Sequence, residues 1–255
     1  MSNTTHAKRM GPIAMAVIAT MALGLCYPIA SAAAEKENTT MASEQSLSSK
    51  QQSIAPIAAA MALGDMLQLD AALNRGLDAG LTVSDAKEIL VQLYAYTGFP
   101  RSLNALNQLM KVLDARKQRG IQDPVGREPA PIPTGSELLT LGTANQTKLL
   151  GGPVKGPLFE FAPAIDDFLK RHLFGAIFAR DNLDWQSREL ATVGALAAMP
   201  GVESQLLSHI AVSMNVGLTA AQLRQVADAL VKAGQADAAR RTQAALETHL
   251  AGKAK

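Results

Sequence analysis

GDMLQLDAALNRGLDAGLT, residues 64–82, returns as GVESQLLSHIAVSMNVGLT at residues 201–219. The two stretches align without a gap at a shift of 137 positions, the distance from Gly80 to Gly217. Gly64 then falls on Gly201, Gln68 on Gln205, Leu69 on Leu206, and Gly80-Leu81-Thr82 on Gly217-Leu218-Thr219. Each copy reads as a helix closed by glycine, which takes the left-handed conformation past a helix end at little cost. A threonine N-cap for the next helix follows. Asp85 and Gln222 stand three residues after Thr82 and Thr219, the spacing of a capping box. The copies differ at one chemically useful position: Ala72 in the first becomes His209 in the second. One copy with an ionisable group and one without implies one working site and one structural partner.

Working outward, residues 51–119 form the first repeat, with helices over 54–63, 66–79, 82–96 and 102–116. In the last of these Leu103, Leu106, Leu109, Met110 and Leu113 fall at core spacing. Residues 120–135 form a linker whose Pro124, Pro129, Pro131 and Pro133 predict an extended chain. Residues 136–250 form the second repeat with an N-terminal extension: helices over 136–150 and 164–178 precede the copy itself, which has helices over 187–199, 202–215, 223–233 and 236–249. No stretch reads as a strand, and aromatic residues make up only 4% of the chain, which disfavours sheet. The expectation is an all-α tandem repeat, its copies related by a pseudo-twofold axis.

Residues 1–34 read as a cleavable secretory signal: Lys8 and Arg9, an apolar stretch over 13–25, then small residues from Ala30 to Ala34. The apolar stretch is shorter than the roughly 20 residues of a membrane span, so no stable membrane anchor is expected. Cys26 is the single cysteine, and Leu25 before it is too large for a lipid-anchor motif. Residues 35–50 are polar and read as a flexible lead. Cleavage would leave a periplasmic or secreted protein without cysteine, which excludes disulfides, thiol catalysis and thiolate metal sites. It would also remove Lys8 and Arg9 from 24 basic residues, leaving 22 against 22 acidic ones. A neutral chain without a basic run is a poor binder of nucleic acid.

Five stretches carry a resemblance. Ser187-Arg-Glu-Leu-Ala-Thr-Val-Gly-Ala-Leu-Ala-Ala-Met, with Leu207-Ser-His-Ile and Asn215-Val-Gly-Leu-Thr, resembles the carboxymuconolactone decarboxylase family. So do Glu88-Ile-Leu-Val-Gln-Leu-Tyr-Ala-Tyr-Thr-Gly-Phe-Pro in the first copy and Phe174-Gly-Ala-Ile-Phe-Ala-Arg-Asp-Asn-Leu-Asp before the second. The resemblance covers nearly all of residues 51–250. It implies a tandem repeat of an alkyl hydroperoxidase D-like helical domain, and self-association, as members commonly form trimers or hexamers. The hydroperoxidase branch carries Cys-x-x-Cys-x-x-x-His. Counted back from His209, the cysteine positions hold Val202 and Gln205, so peroxidase activity is not expected. The cysteine-free branch implies a cofactor-free lyase or isomerase acting on a small carboxylic or lactone substrate. That branch works in the cytoplasm, which an exported chain does not match; an exported, non-catalytic ligand-binding oligomer is the alternative.

His209 is the candidate proton-transfer group, since an ordinary histidine titrates near neutral pH; the alternative is an imidazole satisfied by a backbone carbonyl. The resemblance makes Glu189 its relay partner, whereas an acid in a first helical turn would simply complement the helix dipole. Arg188 and Arg180 are candidate clamps for a substrate carboxylate; a surface ion pair with Asp184 is the competing reading for Arg188. Asn215 reads as a helix cap and His172 as part of a solvated face. No His or Glu spacing suggests a metal site. The run 151–156, GGPVKG, lacks the lysine-serine/threonine ending of a phosphate loop.

Overall fold

The computed structural model describes residues 46–253; the expectations for a signal and for the first part of the lead lie outside them. The first repeat comprises α1 (Ser49–Leu63), α2 (Met66–Asp78), α3 (Val83–Gln92), the single turn α4 (Tyr94–Thr97) and α5 (Phe99–Gln118). The extension comprises α6 (Gly135–Leu150), α7 (Pro157–Phe161), α8 (Pro163–Phe168) and a π-helix (Leu169–Ile177). The second repeat comprises α9 (Trp185–Ala198), α10 (Glu203–Asn215), α11 (Ala220–Lys232) and α12 (Ala236–Lys253). The described residues are all-α, a tandem repeat of an alkyl hydroperoxidase D-like helical domain.

The 137-residue shift lays α1 on α9, α2 on α10, α3 on α11 and α5 on α12. The likeness reaches single backbone angles. Gly80 and Gly217 have φ of 97° and 98°, and behind each the next amide bonds five residues back, Leu81 to Gly76 and Leu218 to Ser213. Thr82 with Asp85, and Thr219 with Gln222, form the capping boxes. These local signals stop and restart the chain identically in each copy, which is why both copies fold alike.

The core forms where the two copies meet. α1 and α9 are the most extensively packed pair. α1 is apolar nearly all round, with Ile54 to Ala62 buried, as a central helix must be. Gly194 lets α9 approach closely: a Cβ there would lie 2.6 Å from the carbonyl oxygen of Ala55. A second, smaller core of Leu149, Leu173, Phe174, Ile177, Phe178 and Val212 packs the extension onto α10.

Three local expectations need correction. The helix read from residue 54 begins at Ser49, capped by Ser48, and Leu47 before it is buried. The flexible lead over 35–50 therefore does not extend to its expected end. The Leu47 amide donates to Gln225 Oε1, 178 positions away, and no local composition reveals such a partner. The helix read over 164–178 changes to π-helical winding at Leu169. On α5, Leu103 and Met110 are exposed, because only one side of that helix faces α2 and α3. The proline-rich stretch is extended but docked: Val83 and Ser84 donate their amides to Pro124 and Val125, satisfying the free N–H groups that begin α3.

Candidate functional site

Asp184 caps α9 by accepting from the Ser187 amide. α9 therefore begins at Trp185, and Glu189 lies in its second turn, not its first. The dipole-complement reading of Glu189 loses its basis, since that effect fades beyond the first turn. Glu189 is instead fully buried, and its Oε2 lies 2.8 Å from Nδ1 of His209 on α10. A carboxylate can only accept, so Nδ1 carries the proton and Nε2 is left as the free basic nitrogen. His209 keeps 15% side-chain exposure against 0% for Glu189, so the imidazole connects a buried charge to the surface. Oε1 of Glu189 is buried without a partner.

Tyr96 completes this site from the other repeat. Its ring stands edge-on to His209, with centroids 5.5 Å apart. Its hydroxyl is buried, with the Thr192 side chain as a weak neighbour and no hydrogen bond of good geometry. Burial pushes the phenol pKa well above its ordinary value, and the charge of Glu189 pushes it further. The sequence reading missed Tyr96. The signal was available only through the repeat: at a shift of 137, Tyr96 stands opposite Ala233, as His209 stands opposite Ala72.

The two arginines lie elsewhere. Arg188 is not in a surface pair with Asp184; it is fully buried and donates to Glu88, Gln92 and the carbonyl of Arg180 at 2.7–2.9 Å. Arg180 binds the same Glu88 through Nε and Nη2, and Asn182 adds a donor at 3.1 Å. The carboxylate in the clamp thus belongs to the protein. Burial alone would raise the Glu88 pKa; Arg180, Arg188 and Asn182 together hold it below the ordinary carboxylate range. Arg188 is lowered by burial, with Glu88 opposing. Both arginines are thus engaged by an internal acid at the repeat interface, which fills the fork of Arg180 and takes one hydrogen bond from Arg188. Gln92 ties this network to α9, donating to the Arg188 carbonyl and to Thr192.

Other expectations resolve simply. Asn215 ends α10 and donates to the Leu149 carbonyl, bonding it to the end of α6. His172 is exposed, with an edge contact to Tyr94. Val202 precedes α10 and Gln205 lies exposed on it, so no thiol flanks His209. Among the described residues no cluster of three or more His, Cys, Asp or Glu side chains is placed to hold a metal, and no helix is long and apolar enough to cross a membrane.

An all-α tandem repeat with a buried glutamate–histidine pair in one of two equivalent positions is the class of protein that fold and site define. The carboxymuconolactone decarboxylase family model matches residues 28–110 and 163–248, once in each copy, and the chain belongs to that family. No curated protein matches the chain.

Proposed function

We propose that the protein is a cofactor-free lyase or isomerase that moves a proton on a small carboxylic or lactone substrate. The contact between Glu189 and His209 carries this reading. Glu189 holds the Nδ1–H tautomer and stabilises the imidazolium that forms when Nε2 takes a proton. In a decarboxylation the bond to the carboxylate carbon breaks, carbon dioxide leaves, and the electron pair enters the adjoining unsaturated system. The imidazolium, which has taken its Nε2 proton from water, then delivers that proton to carbon. Such a step needs a poised acid and no cofactor. The buried Glu189 Oε1, without a partner, and the weakly satisfied Tyr96 hydroxyl support a polar substrate group beside the imidazole.

The test is turnover of an unsaturated carboxy-lactone by the purified full chain in deuterium oxide, with carbon dioxide release and deuterium uptake followed together. Turnover that His209→Gln abolishes supports the proposal. No turnover, or turnover indifferent to that change, ends it.

A second reading, a non-catalytic exported ligand-binding oligomer, is favoured by one observation: the arginines that would hold a substrate carboxylate are occupied by Glu88. The exposed Phe99, Leu103, Phe161 and Phe168 support self-association in either reading. Sedimentation of the full chain decides that part, a monomer at all concentrations counting against it.

A further inference from the structure

The first repeat contains an open cleft where the second holds its glutamate–histidine pair. It encloses about 230 Å³, and its walls include Gln52, Ala72, Arg75, Ala79, Lys232 and Ala233. At the 137-residue shift, Gln52 stands for Glu189, Ala72 for His209 and Ala233 for Tyr96. All three groups of the acid–base site are therefore gone. Two cations have entered instead: Arg75 takes the place of Val212, and Lys232 that of Ala95. Arg75 comes from α2 of the first repeat and Lys232 from α11 of the second. This is the same exchange by which Tyr96 of the first repeat reaches His209 of the second.

Both cations stand in the last turn of their helices, where they complement the helix dipole, yet no carboxylate among the described residues neutralises either. Among the described residues neither forms an ion pair, and Asp228, one turn before Lys232, is not bonded to it. The buried arginines Arg116 and Arg188 and the half-buried Arg180 each hold a carboxylate, and Arg241, which lines another cleft, donates to the carbonyls of Ala197 and Ala198. Two unpaired like charges facing one hollow repel each other, and an anion between them removes that repulsion. The hollow is also the right size. At ~30 Å³ for each water it would otherwise contain, the 230 Å³ hollow has room for a small organic acid.

We propose that this cleft is a second, non-catalytic site that binds a small organic carboxylate between Arg75 and Lys232. It lacks the glutamate–histidine pair and the phenol of the other site, so binding there leads to no turnover. The proposal does not rest on acid–base chemistry at His209, and its test can fail independently.

The test is calorimetric titration of the full chain at low salt with succinate as the probe and succinamide as its uncharged analogue. Saturable one-to-one binding of succinate alone is expected. The double variant Arg75→Gln/Lys232→Gln removes two charge-assisted contacts and should weaken binding by at least about tenfold, while His209→Gln leaves it unchanged. Ala233→Glu, which sets a carboxylate in the cleft, should abolish binding. Circular dichroism checks that each variant is folded; Arg75 and Lys232 are exposed, so their loss removes no core contact. The proposal is overturned if succinate does not bind, if succinamide binds equally, or if the double variant binds as the wild type does. Loss of binding in His209→Gln alone also overturns it, by placing the anion at the other site.

Discussion

Glu189 and His209 lie 20 positions apart in the chain and meet through Oε2 and Nδ1 at 2.8 Å, one fully buried and the other reaching the surface. The geometry makes one ring nitrogen structural and leaves the other free for chemistry. It also predicts a measurable tautomer. Nitrogen-15 correlation spectra of the neutral ring should show protonated Nδ1 in the wild type, and Glu189→Gln should lose that preference, since an amide can donate as well as accept. Substrate turnover should fall about 10²–10⁴-fold in His209→Gln, the usual worth of a positioned acid or base. A wild-type ring protonated at Nε2 would contradict the proposed role of Glu189.

Tyr96 supplies a second prediction. Its hydroxyl is buried with only a weak neighbour, Thr192, to offset the water it has lost. Tyr96→Phe should therefore be as stable as the wild type or more so, while turnover falls. The phenol's folded-state pKa is raised above its ordinary 10, so the unfolded chain ionises first. Stability tied to this group is complete below pH 10 and is lost as pH rises above it. Urea titrations at alkaline pH should show a steeper loss in wild type than in Tyr96→Phe; parallel curves would mean that the ring is not insulated.

Glu88 is the acid on which Arg180 and Arg188 converge, and its loss leaves Arg188 a buried cation without a counter-charge. Glu88→Gln should cost ~3–5 kcal/mol. The folded-state pKa of Glu88 lies below its ordinary 4.5, so its contribution is present above pH 4.5 and lost as pH falls through the lowered value. Wild type should thus lose stability on acidification more steeply than Glu88→Gln. Equal slopes would separate the network from acid unfolding.

Two glycines set the distances on which the site depends. A methyl group at Gly194 would meet the Ala55 backbone at 2.6–3.0 Å, forcing α1 from α9. Gly194→Ala should cost ~1–3 kcal/mol or more, as overpacking does. At Gly142 the same addition would lie 1.7 Å from the Lys170 carbonyl oxygen, between α6 and the π-helix. Gly142→Ala should loosen the extension first, read as faster amide exchange over 135–177 than over α1 and α9. Uniform exchange in that variant would show that the two cores unfold together.

Most of the helical frame was legible before any coordinates. The repeat of Gly80-Leu81-Thr82 as Gly217-Leu218-Thr219 set helix ends in both copies to within a few residues, and His209 stood out against Ala72. Such signals are local: a cap acts within one turn, and its meaning does not depend on what packs nearby. Where local composition and tertiary packing pointed different ways, packing prevailed. Leu47 sits among polar residues but is buried, and Met110 keeps helical core spacing on a face that none of the described residues covers.

By itself, then, the sequence determined an all-helical chain built twice from one unit, with an imidazole in the second copy alone. Only the tertiary structure decided which charges meet. Arg180 and Arg188 were both free, on paper, to hold a substrate; the fold turned them onto Glu88, nearly a hundred residues earlier. It turned Glu189 onto His209 and brought Tyr96 to the ring from the other repeat. A guanidinium pairs with whatever carboxylate the folded chain brings within reach, and periodicity and caps encode no partner that far along the chain.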